Sequence, residues 1–202
     1  MNRFYDVSRG SIEINGVDIR KYDLESLRAQ IGYVAQKAHM FKGSIKSNIC
    51  FGKPEASDEE MHHAARVAQA SDFISKRENG YLDEIAEDGT NISGGQKQRL
   101  SIARVILKKP SLYIYDDSFS ALDFKTDATL RKALKPEVKD AIFFVVAQRI
   151  STIMDSDMII VLDEGQIIGL GTHLELLKNC SVYQEIAHSQ LTQKELDDYE
   201  RN

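Results

Sequence analysis

The chain has few of the residues that cross-link or rigidify a protein: two cysteines, three prolines and no tryptophan in 202 residues. Cys50 and Cys180 are isolated, so they predict neither a disulfide framework nor a metal-ligand pair. A chain of this length can bury enough apolar surface to fold without such links. We therefore expect a reducing compartment.

Long apolar runs and an excess of basic charge are also missing. The longest stretch without Asp, Glu, Lys or Arg is ten residues, Gly165 to Leu174, whereas a spanning helix needs about 20 apolar residues. The net charge of −5 argues against a protein that binds nucleic acid or anionic lipid through bulk electrostatics. The sequence predicts no transmembrane helix and no nucleic-acid partner.

Strand and turn patterns predict an α/β fold. Residues 11–19 alternate polar and apolar side chains around Asn15-Gly16, which is typical of a tight β-hairpin. Short apolar runs are typical of strands that are buried on both faces of a parallel sheet. These runs are Ile31–Val34, Leu112–Tyr115 and Ala141–Val146. A second hairpin is predicted over residues 158–168.

A polar, helical segment interrupts this pattern. Ser57 and Glu60 have the spacing of a capping box at a helix start. A later helix is predicted from Phe124 to Leu134, with Pro136 ending it. We expect an α/β core with an inserted helical subdomain. Its segments are residues 1–53 (core), 54–104 (helical subdomain), 105–191 (core) and 192–202 (a polar tail).

Two local motifs carry chemistry. Ser93-Gly94-Gly95-Gln96 opens a helix, where a serine cap, close backbone approach and free N–H groups favour an anion. The alternative is an ordinary helix start that contains glycine. Asp116 and Asp117 end a predicted buried strand, where one carboxylate suits Mg²⁺ and its neighbour suits water activation. Taken alone, that pair is more typical of solvated acids at a strand end.

Taken together, the motifs closely resemble the nucleotide-binding domain of ABC transporters of the exporter, multidrug type. The resemblance runs from about Asn2 to Leu177, in the family's order and spacing. It rests on Tyr33-Val34-Ala35-Gln36, Ile92-Ser93-Gly94-Gly95-Gln96, Tyr115-Asp116-Asp117, Ser120-Ala121-Leu122-Asp123 and Ala147-Gln148-Arg149. It implies an ABC cassette, which is a P-loop NTPase core, with ATP and Mg²⁺ as ligands.

The resemblance also implies roles for individual residues. Gln36 is the Q-loop glutamine, which coordinates Mg²⁺ and senses the γ-phosphate, and Asp116 is the Walker B ligand of Mg²⁺. Ser93, Gly94, Gly95 and Gln96 belong to the signature motif that contacts the nucleotide. Asp117, Asp123 and Gln148 occupy the catalytic-base, D-loop and switch positions.

Partners and location follow from the same resemblance. Two such domains clamp two ATP molecules head to tail, so a second nucleotide-binding domain is an expected partner. Glu84 resembles the acidic residue that faces the coupling helices of the transmembrane domain. The expected location is cytoplasmic, at the inner face of the cell membrane.

The sequence departs from the family pattern at three places. The P-loop pattern Gly-x-x-x-x-Gly-Lys-Ser/Thr occurs nowhere in the chain. Asp117 stands where the family has a glutamate, and a carboxylate displaced by about 1 Å can cost about 100-fold in rate. Gln148 replaces the switch histidine and cannot carry a positive charge.

These departures predict an incomplete cassette. We interpret the chain as truncated after the Walker A motif, and Asp117 with Gln148 as the degenerate site of a heterodimeric exporter. Tolerated variation in a homodimer is the alternative. The isolated chain is expected to bind ATP very weakly and to hydrolyse none. Two further functions stay open: a non-catalytic module supplying the signature motif in trans, and a soluble DNA-repair-type ATPase, which the acidic charge disfavours.

Overall fold

The computed structural model describes residues 1–191, and the predicted polar tail lies outside the described residues. The strands are β1 (Glu13–Ile14), β2 (Val17–Asp18), β3 (Ile31–Val34), β4 (Gly43–Ser44), β5 (Glu84–Ile85), β6 (Leu112–Asp116), β7 (Ile142–Val146), β8 (Ile159–Asp163) and β9 (Gln166–Gly171). The helices are α1 (Leu24–Ala29), α2 (Ile45–Cys50), α3 (Asp58–Val67), α4 (Ser71–Ile74), α5 (Gly94–Lys108), α6 (Phe124–Glu137), α7 (Ile150–Ile153), α8 (His173–Asn179) and α9 (Ser181–Gln190).

The chain forms two compact units, the first being Met1–Val146 and the second beginning at Ala147. The predicted boundaries near residues 53 and 104 fall inside the first unit and stay predictions. Over residues 1–191, no helix is both long enough and apolar enough to cross a bilayer.

A parallel three-stranded sheet in the order β3-β6-β7 forms the centre of the first unit. Ile31, Leu112 and Ile142 lie side by side in register. All three predicted strands form, and they pair in parallel as expected. The α/β fold class is therefore confirmed.

The two faces of this sheet differ in their cover. One face carries Val34, Tyr113 and Tyr115, which join the main core cluster with buried residues of α2, α3 and α5. Phe143 and Val145 of β7 pack against the same cluster. We call this side the core face, because most of the buried apolar surface of the unit lies there.

The last strand is covered on the core face only, although its apolar run is typical of a strand buried on both faces. On the side opposite the core face, which we call the open face, the first hairpin and α1 cover Ile31 and Leu112. That cover ends before β7, so Ile142 is 62% exposed and Val146 is 57% exposed. Phe144 between them is also exposed. An apolar run alone does not show how far the neighbouring cluster extends.

Local sequence signals set the turn and the helix starts. Asn15 and Gly16 have φ angles of 51° and 74° and join β1 to β2 as predicted, because both central residues of such a turn need positive φ. Ser57 caps α3, and Glu60 completes the capping box. This turn and this helix start could be predicted from the sequence because they depend on residues within a few positions of each other.

The predicted end of the later helix is wrong. Helix α6 contains Pro136 and continues to Glu137. Proline lacks an N–H and crowds the preceding turn, but in the last turn it costs only one hydrogen bond of the helix. The proline therefore lies near the end of the helix without ending it.

The second unit is built on the predicted second hairpin, in which β8 and β9 pair antiparallel. Glu164 and Gly165 make its turn with φ angles of 44° and 78°. A separate core cluster joins this hairpin to α8 and α9. Within that unit, buried His173 Nδ1 lies 2.8 Å from the Tyr183 hydroxyl.

One buried hydroxyl in the core has no hydrogen-bond partner among residues 1–191. Tyr115 is fully buried between Phe119 and Phe143, and burial raises the pKa of its phenol. Because an unpaired buried polar group carries an uncompensated desolvation cost, Tyr115→Phe should leave the free energy of unfolding unchanged or raise it by about 1 kcal/mol. Urea denaturation of both proteins measures this difference.

Tyr183→Phe is the matched control, because the Tyr183 hydroxyl is paired with His173. It should lower the free energy of unfolding by about 1 kcal/mol. A loss of stability in Tyr115→Phe as large as that in Tyr183→Phe would contradict the absence of a partner at Tyr115.

Candidate functional site

Gln36, Asp116 and Asp117 meet at the carboxyl ends of β3 and β6. The strands are parallel neighbours, so both end at the same edge of the sheet, which is where ligands bind in open α/β sheets. Gln36 Nε2 donates to Asp117 Oδ2 over 3.1 Å. The structure thus brings together three of the residues that the sequence singled out.

Asp117 is aimed by its backbone. Its φ is 44°, a left-handed conformation that few residues other than glycine adopt but that aspartate tolerates. The Asp117 N–H donates to the carbonyl of Val146 over 2.8 Å, and Ser120 Oγ donates to the carbonyl of Asp117 over 2.7 Å. With 9% exposure, the residue is buried, and its backbone is held at both the N–H and the carbonyl.

Asp116 is half-buried and makes a different contact. The Tyr33 hydroxyl donates to Asp116 Oδ2 over 2.9 Å. Burial, followed by the hydrogen bond and charge of Asp116, raises the pKa of Tyr33. The phenol therefore stays protonated at neutral pH and acts as the donor.

The predicted anion motif lies at the exposed start of α5. Ser93 Oγ accepts from the N–H of Gln96 over 3.3 Å, and Gln96 Oε1 accepts from the N–H of Ser93 over 3.1 Å. Ser93 and Gly94 are exposed, and a Cβ at Gly94 would have no heavy atom within 4 Å. The positive end of the helix dipole is accessible there to an anion.

Gly95 lies against the segment that follows Asp117. A Cβ at Gly95 would lie 3.2 Å from the carbonyl oxygen of Ala121. Only glycine fits this approach without displacing the backbone of Ala121. The first turn of α5 is therefore seated on the predicted D-loop of the same chain.

Helix α5 is also fixed to β3 and its continuation. Gln98 is buried, and its Nε2 donates to the carbonyl of Ala35 over 3.1 Å. At the other end of the helix, Lys108 Nζ donates to the carbonyls of Arg28 and Ile31 over 2.6 and 2.8 Å. The helix that begins at the anion motif thus holds the strand that leads to Gln36.

Asp123 caps α6. Its Oδ1 accepts from the N–H of Thr126 over 2.9 Å, and its Oδ2 accepts from Thr126 Oγ1 over 2.7 Å. These hydrogen bonds hold the pKa of Asp123 below its usual range. Its observed role is that of a charged helix cap, and its contact with nucleotide stays a prediction.

Gln148, at the predicted switch position, is an exposed residue of the second unit. Its carbonyl accepts from Gln190 Nε2 over 2.8 Å. Its catalytic role stays a prediction.

Glu84 lies on an exposed surface of the first unit. It belongs to β5, which pairs antiparallel with β4, and Asn91 Nδ2 donates to its carbonyl over 2.8 Å. Leu82, which is 68% exposed, lies just before it in the chain. Phe41 precedes β4 and stacks on Phe51 with 4.4 Å between ring centroids. We call the exposed pair Leu82 and Glu84 the Glu84 surface.

Sequence reasoning missed Tyr33, Gln98 and Ser118 as site residues. Ser118 is fully buried, and its Oγ donates to the carbonyl of Val34 over 3.0 Å. Strand alternation places Tyr33 and Asp116 on one face only once the register is known. Gln98 lies two residues after the anion motif, but no local sequence pattern indicates that its side chain donates to the carbonyl of Ala35.

The oxygen atoms at this site suit a hard cation that takes most of its ligands from water and from a bound substrate. Among residues 1–191, no three His, Cys, Asp or Glu side chains are grouped to hold a metal. Asp116 and Gln36 each carry an oxygen that could ligate a cation, and Mg²⁺ is usually held by one or two carboxylates plus water and substrate phosphates. The residues present fit Mg²⁺ in that mode.

Comparison with protein families gives a match to the model described as ABC transporter, over residues 1–120. An uncharacterized ABC transporter ATP-binding protein of Mycobacterium tuberculosis is 42% identical over 191 residues, covering 93% of this chain and 32% of that protein. YgaD of Bacillus subtilis, a putative multidrug export ATP-binding/permease protein, is 46% identical over 184 residues, covering 91% of this chain and 32% of that protein.

A solved structure shows the same fold. It is that of a bacterial Atm1-family ABC exporter with ATP bound, at 38% identity and a TM-score of 0.92, covering 95% of this chain and 34% of that chain. The chain thus spans about a third of the length of the curated relatives it matches.

Proposed function

The chain belongs to the ABC transporter family, and from that membership we propose that it acts in the ATP-binding part of a multidrug-type exporter, coupling ATP binding and hydrolysis to transport. The observation that carries this proposal is the exposed, capped start of α5 at Ser93 and Gly94. A helix start with free N–H groups stabilises the charge of a terminal phosphate. The relative with solved structure is an exporter with ATP bound.

Asp116 and Asp117, together with Gln36, are the residues through which this chain would contribute to ATP hydrolysis. Asp116 and Gln36 would hold Mg²⁺, which would supply positive charge that neutralises the nucleotide phosphates. Asp117, buried and hydrogen-bonded to Gln36, would orient water as a weak base. Because aspartate is shorter than glutamate, we expect little turnover at this site.

The phosphate cradle has to come from elsewhere. No Gly-x-x-x-x-Gly-Lys-Ser/Thr pattern occurs in the 202 residues, so no lysine of this chain is placed by that motif on a phosphate. We propose that Ser93 to Gln96 complete a nucleotide site whose P-loop lies on a second nucleotide-binding domain. Asp117 and Gln148 support a heterodimer in which this chain provides the weaker carboxylate site.

The Glu84 surface is the proposed contact with a transmembrane domain. Leu82 exposes a large apolar side chain there, at 68%, beside the acidic Glu84. An exposed aliphatic side chain beside a charged one is typical of the edge of an interface.

ATP-dependent assembly tests the proposed function. The 202-residue chain is mixed with an intact cassette chosen for carrying the P-loop pattern, and the molar mass is measured by light scattering with MgATP and with MgADP. We expect a heterodimer with MgATP only. Ser93→Arg should weaken it at least tenfold, because the longer cationic side chain fills the anion site. Ser8→Arg, on another exposed segment, should leave assembly unchanged.

Assembly that needs no nucleotide, or that tolerates Ser93→Arg, would overturn the proposal. The exposure of Ser93 also favours a second candidate function, a non-catalytic module that supplies the signature motif in trans. The ATP turnover of the same mixture distinguishes the two candidates. Under that candidate, Asp117→Asn leaves the ATP turnover of the assembly unchanged. Under the first, it lowers the turnover, but only by the small share that the Asp117 site contributes.

A further inference from the structure

Tyr33 reaches the carboxylate of Asp116 along the open face of the sheet. Tyr33 pairs in register with Ile114, two residues before Asp116, so all three side chains lie on that face. The hydroxyl donates to Asp116 Oδ2 over 2.9 Å. Over residues 1–191, no other side chain donates to this carboxylate, so Oδ1 is left for a ligand.

The ring of Tyr33 is held by its neighbours. Phe4 lies edge-on to it, with 6.2 Å between centroids and 71° between ring planes. The guanidinium of Arg28 lies 5.8 Å from the centroid of Phe4. An edge-on aromatic pair contributes beyond simple burial. The donor is therefore fixed in place on a surface that is otherwise open.

We infer that Tyr33 is a positioning residue, which orients Asp116 for a divalent cation. This inference rests on the proposed function. Its hydroxyl restrains Asp116 through Oδ2 and keeps Oδ1 as the ligating oxygen. Hydrogen bonds from outer residues orient ligating carboxylates, and their loss typically lowers metal affinity by about 10- to 100-fold. Tyr33 itself does not touch the cation.

Mn²⁺ alone is the probe, titrated into the 202-residue chain while the signal of free Mn²⁺ is followed by electron paramagnetic resonance. Tyr33→Phe keeps the ring and removes the hydroxyl, and we expect its Kd for Mn²⁺ to rise at least tenfold. Tyr33→Leu removes both, and its Kd should rise by the same factor, because the hydroxyl carries the effect. Tyr5→Phe, at a 91% exposed tyrosine, should leave Kd unchanged.

Asp116→Asn separates this inference from the function on which it rests. If Asp116→Asn weakens Mn²⁺ binding and Tyr33→Phe does not, Tyr33 has no positioning role and the metal assignment stands. A rise in Kd for Tyr33→Leu alone would reveal a role in packing only and would overturn the inference. If Asp116→Asn has no effect, or the chain binds no Mn²⁺, the metal assignment fails and the inference with it.

Discussion

Leu100→Ala lowers the free energy of unfolding by about 3 kcal/mol in our expectation, since the leucine is fully buried and such truncations leave a cavity in the core. Leu100 lies on α5 and belongs to the main core cluster, which also holds buried residues of α2 and α3. Its loss therefore loosens the helix that carries the anion motif. Urea denaturation followed by far-ultraviolet circular dichroism measures the change.

Leu82→Ala makes the same chemical change at a surface site, where the side chain is 68% exposed. It should change the stability by less than about 0.5 kcal/mol. If Leu100→Ala costs no more than this control, the packing of α5 against the core is not as described.

Gly32→Ala should cost about 1–3 kcal/mol of stability through overpacking. A Cβ at Gly32 would lie 2.5 Å from Val105 Cγ1 and 2.6 Å from Pro110 Cγ. Val105 and Pro110 are both buried, so neither can yield without moving α5 or the segment after it. Thermal unfolding should show a lower Tm.

Two variants sharpen this prediction. Gly94→Ala adds the same methyl group at the start of α5, where the space is open, and it should be neutral or slightly stabilising because alanine favours helix. Val105→Ala in the Gly32→Ala background removes the nearest clashing atom and should recover part of the loss. Additive losses in the double variant would contradict the proposed steric cause.

Local signals in the sequence predicted much of the fold. Asn15-Gly16, Ser57 and Ser93 each fix a turn or a helix start through their own backbone geometry or through a partner within a few residues. Apolar run length and β-branched content predicted the three strands of the sheet. Their parallel pairing confirms the α/β fold class.

Contacts between distant segments could not be read in the same way. The hydrogen bond between Tyr33 and Asp116 joins residues 83 positions apart, and the bond from Gln98 to Ala35 joins residues 63 positions apart. Both depend on strand register and helix placement. The exposure of Ile142 depends on where a neighbouring cluster ends, which no property of β7 encodes. The sequence resemblance identified Gln36 and Asp117 but not the hydrogen bond between them.

The two anchors of α5 on β3 have a mechanical meaning. Gln98 holds the strand just before Gln36, and Lys108 holds its other end at Ile31. A displacement of the first turn of α5 therefore moves β3 as a whole, because the strand is hydrogen-bonded to the helix at both ends. In the proposed function, this stiffness would let γ-phosphate binding at Ser93 to Gln96 change the position of Gln36 through the backbone. No direct bond between the anion motif and Gln36 is needed.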